Sequence, residues 1–78
     1  MNEGKVKVAV DLVPLMGYLY KAGILRIDGP EKRVQVSSEF FRQTFPVYEA
    51  KDFPDPEYKY ELSYEYEGIE FYCLSVEP

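Results

Sequence analysis

The sequence predicts a small α+β domain: an antiparallel or mixed β-sheet of four to five strands, two short helices on one face and a C-terminal β-hairpin. Three observations carry that prediction. Valines alternate with other residues near the start, apolar residues at helical spacing follow, and the stretch from Tyr58 to Val76 reads as two facing strands.

Residues 5–12 place Val6, Val8, Val10 and Leu12 on one parity and Lys5, Lys7, Ala9 and Asp11 on the other. That is the period-two pattern of a half-buried strand, expected over about 5–10. Leu12, Leu15, Met16 and Leu19 then fall at i, i+3, i+4 and i+7, which is one face of a helix. Asp11 suits its N-cap, Pro14 its first turn, Lys21 its negative end and Gly23 its left-handed stop, so the helix is expected over 11–22. Gly17 costs such a helix about 1 kcal/mol relative to alanine. The rival reading is a strand pair turning at Met16-Gly17.

Ile24–Asp28 and Arg33–Ser37 flank Gly29-Pro30-Glu31-Lys32, which predicts a hairpin with a four- or five-residue loop because Pro30 cannot donate to a ladder. Ser37 and Ser38 open a short helix ending before Pro46, with Phe41 and Phe45 on its inner face. Ser37 and Ser38 also resemble an anion-binding helix start, but capping by itself accounts for them. Residues 47–57 contain Pro54 and Pro56 and are read as an extended surface loop.

Tyr58, Tyr60, Leu62, Tyr64 and Tyr66 alternate with Lys59, Glu61, Ser63, Glu65 and Glu67 before Gly68 and the apolar run Ile69–Val76. Two registers fit this hairpin. A two-residue turn at Glu67-Gly68 pairs Leu62 with Cys73 and sets Glu65 opposite Glu70. A bulged turn pairs Leu62 with Tyr72 and is preferred here, because glutamate is a poor first residue of the primed turn and opposed glutamates repel. The last strand is apolar on both parities and is expected to be central or sandwiched. The expected core is Val6, Val8, Val10, Leu15, Leu19, Ile24, Val34, Val36, Phe41, Phe45, Leu62, Phe71, Cys73 and Leu74.

The chain has 78 residues, room for a single domain spanning 1–78 with one core. Its apolar share of 46%, 13 aromatics among them, excludes a disordered chain. There is no histidine, so the commonest general acid–base group and transition-metal ligand is missing. Cys73 is the sole cysteine, sits within an apolar strand and reads as an inert buried thiol in a reducing compartment. Asp52, Asp55 and Glu57 share one loop but lack the glycine and ligand spacing of a Ca²⁺ site. No enzymatic activity, metal or cofactor is expected. No stretch has the length and apolarity of a signal peptide or a membrane span, and a cytoplasmic protein is expected.

The net charge is −5, and it is unevenly placed: residues 1–48 hold five acids and seven bases, residues 49–78 nine acids and two bases. Aromatics among carboxylates carry the wrong sign for stacking on nucleic acid directly. Residues two apart on a strand face lie about 6.6 Å apart, close to the spacing of successive phosphates. The candidate partner-binding surface is therefore Asp52, Asp55, Glu57, Tyr58, Tyr60, Glu61, Tyr64, Glu65, Glu67 and Glu70. It suits a basic protein partner, in the manner of small acidic inhibitors of phages and mobile elements that mimic nucleic acid. The alternative is a structural homodimer in which surplus aromatics and an open strand edge are covered by a second copy.

Overall fold

The computed structural model describes residues 2–78. Two helices and five strands follow in the order α1 (Glu3–Ala22), β1 (Ile24–Asp28), β2 (Arg33–Val36), α2 (Ser38–Thr44), β3 (Glu49–Asp52), β4 (Tyr60–Tyr66) and β5 (Ile69–Ser75). The strands form one mixed sheet in the order β1-β2-β5-β4-β3, with only the β2–β5 pair parallel. The α+β class and the C-terminal hairpin agree with the sequence reading. β5, apolar on both parities, is the central strand.

The N-terminal segment departs from expectation. Residues 5–10 are not a strand, and the helix begins at Glu3 rather than Asp11. Period two and period 3.6 coincide here: Val6, Val10 and Val13 follow one helical row, and Val8, Leu12, Leu15 and Leu19 another. A helix satisfies its backbone internally, whereas a strand needs a neighbour, and both edges of the sheet end without one for residues 5–10. Asp11 does not cap; it accepts from Lys7 Nζ at 3.3 Å, one turn earlier. Pro14 lies inside the helix, not in its first turn, and removes one bond of the ladder.

The second departure is that α1 covers nothing. None of its residues is buried, so Val6, Val8, Val10, Leu15 and Leu19 leave the expected core, and only α2 lies on the sheet. A helix of 20 residues is about 30 Å long. The molecule is accordingly elongated, 47 × 26 × 22 Å.

The core is Val34, Val36, Phe41, Phe45, Leu62 and Cys73, with Ile24, Phe40, Tyr48, Tyr60, Ile69 and Phe71 packed around it. Leu74 points to the other face, because its neighbour Cys73 points in. Ser37 caps α2 as expected, its Oγ accepting from the Phe40 N–H at 3.1 Å. Phe41 meets Phe45 at 5.1 Å and Tyr48 edge-on at 5.5 Å between ring centroids. The four-residue loop 29–32 closes the first hairpin through Asp28 Oδ1, which accepts from the Glu31 N–H at 3.1 Å.

Residues 47–57 contain a strand that the reading as a continuous loop missed: β3 pairs antiparallel with β4, Glu49 with Ser63 and Asp52 with Tyr60. All four residues of β3 are exposed, so no alternation of apolar residues marks it. The C-terminal hairpin adopts the two-residue register, pairing Tyr66 with Ile69, Tyr64 with Phe71, Leu62 with Cys73 and Glu65 with Glu70. The preferred bulged register is therefore overturned. Glu67 and Gly68 take φ of 51° and 79°, the paired left-handed geometry of a primed turn. A one-residue slip would turn Phe71 and Cys73 to solvent, and that loss outweighs the strain at Glu67.

Candidate interaction surface

A strand alternates its side chains between faces, and this divides the expected Tyr/Glu surface in two. Tyr60 and Tyr64 share the α2 face with Leu62, and Tyr60 packs against the core while Tyr64 stacks on Phe45 at 5.1 Å. Glu61, Glu65 and Glu70 lie on the opposite, helix-free face. The ten residues expected to form one contact surface therefore do not share a face.

On the helix-free face the carboxylates are not all available. Arg33 on β2 donates from Nη2 to Glu61 Oε1 at 3.0 Å and from Nε to Glu70 Oε1, while its guanidinium lies 3.9 Å above the Tyr72 ring. Burial taken singly would lower the Arg33 pKa; hydrogen bonds and charge from Glu61 and Glu70 outweigh it and leave it raised. Arg33 also relieves the repulsion between Glu65 and Glu70, which allows the observed hairpin register. An uninterrupted ladder of phosphate-like charges is thus absent from β4 and β5. Sequence reasoning missed Arg33 because its partners lie 28 and 37 residues away.

The other acids of residues 49–78, Glu77 apart, lie on the β3 side of the sheet. Glu49 and Asp52 lie on β3, Asp55 and Glu57 follow in its loop, and Glu65 and Glu67 sit at the far end of β4 and in its turn. All six are exposed and none is in an ion pair among the described residues. Asp55 has a structural task as well, its Oδ1 accepting from the N–H groups of Glu57 at 2.8 Å and Tyr58 at 3.1 Å. β3 is the outer strand of the sheet, so half of its backbone groups face away from any neighbouring strand.

On the α2 face an apolar groove of about 560 Å³ is lined by Ile24, Phe40, Thr44, Phe45, Pro46, Val47, Tyr64, Tyr66 and Phe71. No charged group lines it, and its largely apolar wall can seat an apolar side chain. Among the described residues no three His, Cys, Asp or Glu side chains gather as metal ligands.

Comparison with protein-family models, curated proteins and solved structures returns no match. The functional reading therefore rests on the surface itself. No helix among the described residues is long and apolar enough to cross a membrane.

Cys73 is fully buried in β5. Burial pushes its thiol pKa up, against smaller lowering by the Arg42 charge and by a backbone hydrogen bond with Leu62. The folded chain then keeps a proton that the unfolded chain releases. This contribution to stability is complete below the unfolded thiol's pKa of about 8.5 and declines at higher pH, by up to about 1.4 kcal/mol per pH unit. Urea midpoints at about pH 7.5 and about pH 9.5 are expected to differ more for the native chain than for Cys73→Ala. Equal differences would show that the thiol has no part in the alkaline loss.

Proposed function

We propose that this chain is a non-enzymatic, cytoplasmic interaction module that binds a basic protein partner along its acidic β3 edge, as an inhibitor of a nucleic-acid-handling protein. The observation that carries the reading is the coincidence, on one edge, of an exposed strand and unpaired carboxylates at Glu49, Asp52, Asp55 and Glu57. An open edge offers backbone groups to an extended segment, and flanking charge selects the sign of that segment. Glu65 and Glu67 extend the negative field toward the hairpin tip. Glu61 and Glu70 belong to the scaffold that Arg33 holds, and Tyr60 and Tyr64 to the packing under α2, so the proposed contact is narrower than the ten residues read from the sequence.

The test is capture from the native host with the intact chain and with Glu49→Lys/Asp52→Lys/Glu57→Lys. Capture of the native chain's partner is expected to weaken as salt rises, to fall at least about tenfold with the triple variant, and to be competed by duplex DNA. Capture indifferent to salt and to charge reversal would overturn the acidic interface. Capture that DNA does not compete would remove the nucleic-acid-handling partner while leaving the edge contact.

A further inference from the structure

The least satisfied surface of the molecule is α1. Nine large apolar side chains on it are between 37% and 70% exposed, Val6 and Tyr18 among them. Together they leave on the order of 1,000 Å² of apolar surface, where the largest patch of a typical monomer is about 300–600 Å². Apolar residues occupy more than half of the helix circumference, the charged remainder being Glu3, Lys5, Lys7, Asp11 and Lys21.

Its own sheet does not cover this helix. The exit from α1 is held at Gly23, whose N–H donates to Tyr20 O at 3.0 Å and whose carbonyl accepts from the Ser37 N–H at 2.8 Å. No residue of α1 belongs to the core that α2 covers.

The spacing of three exposed residues and the half-buried Leu19 indicates what covers it. Val8, Leu12, Leu15 and Leu19 recur at intervals of four, three and four, the alternation of a helix seam that meets another helix, with Lys5 and Ala22 continuing it at either end. We infer that α1 is the self-association element of this protein, pairing antiparallel with α1 of a second copy along the Val8–Leu12–Leu15–Leu19 seam. Val8, Leu12 and Leu15, each at least 46% exposed, and the half-buried Leu19 form this seam, while Val6, Val10, Val13 and Tyr20 lie on the other side of the helix.

Charge chooses the direction. A parallel pair would set Lys5 against Lys5 within the seam. The antiparallel pair sets Leu12 against the second copy's Leu15 and Val8 against its Leu19, and brings Lys5 to the negative C-terminal end of the facing helix. It also sends the two sheets to opposite ends of the helix pair, leaving both β3 edges open. The inference is independent of the proposed acidic contact.

Sedimentation of the native chain at about 10–100 μM is expected to give twice the 9.1 kDa chain mass or a higher even multiple. Leu12→Glu/Leu15→Glu is expected to give a monomer that keeps its β-sheet circular dichroism, because α1 contributes no buried residue to the core. A Val8→Cys and Leu19→Cys mixture is expected to form an intermolecular disulfide, with Cys73 shielded by burial. A native chain that is monomeric at 100 μM, whether or not it binds anionic or neutral phospholipid vesicles, would overturn the inference. So would an unchanged mass for the double variant. Cross-linking of Val8→Cys with itself would overturn the antiparallel arrangement.

Discussion

Phe41→Ala is expected to abolish the cooperative thermal transition of this domain at physiological temperature. Phe41 is fully buried and is the point at which α2 meets the sheet, its ring against Phe45 at 5.1 Å and Tyr48 at 5.5 Å. Truncating a buried phenylalanine costs about 3–5 kcal/mol in lost transfer energy and cavity formation. A chain of this length holds a total of roughly 4–12 kcal/mol. Among the described residues the core has six buried apolar side chains, and α2 is two turns long, so little remains to hold that face closed. Circular dichroism against temperature checks this. A melt within a few degrees of the native chain would mean that α2 is not part of the cooperative unit.

Gly23→Ala is expected to cost about 2–3 kcal/mol, read as a lower urea midpoint. Gly23 has φ 109°, a backbone conformation that side chains disfavour. A Cβ there would lie 2.8 Å from Phe40 Cβ and 2.9 Å from Ser37 Oγ. Phe40 Cβ is fixed to the α2 backbone, and Ser37 is the α2 N-cap, so neither yields without moving the helix. The end of α1 and the start of α2 therefore fail together. Gly17→Ala is the matched control of opposite sign: a Cβ there meets nothing within 4 Å, and the helix interior gains about 1 kcal/mol in propensity. Equal effects from the two substitutions would show that the junction tolerates the strain.

The proposed contact surface was partly legible. The excess of acids after residue 48 is visible in the sequence and reappears as unpaired carboxylates along β3, its loop and the hairpin tip. That Glu61 and Glu70 are occupied was not legible, because Arg33 reaches them only when β2 lies beside β5. β3 itself gave no signal: Glu49-Ala-Lys-Asp52 has no buried side chain, and only pairing with β4 makes it a strand.

The other two misread elements were each decided by a term beyond the local pattern. In Val6-Lys-Val-Ala-Val10 a period of two and a period near four select overlapping residues, and the reading of a strand there took the wrong one. At Glu67-Gly68, turn preference and like-charge repulsion both favoured the bulged register, while side-chain burial favoured the other.

By itself the sequence determined what is local or compositional: the α+β class, the first hairpin and its loop, Ser37 at the start of α2, the central place of β5, and the acidic C-terminal portion. Tertiary structure decided what depends on neighbours. It withheld a partner strand from residues 5–10 and left α1 projecting, set β4 and β5 in register by the burial of Phe71 and Cys73, and used Arg33 to neutralise two of the most conspicuous glutamates. The physical reason is range. Periodicity, capping and turn chemistry act over a few residues, whereas burial and ion pairing join positions tens of residues apart and can be weighed only once the sheet order is known.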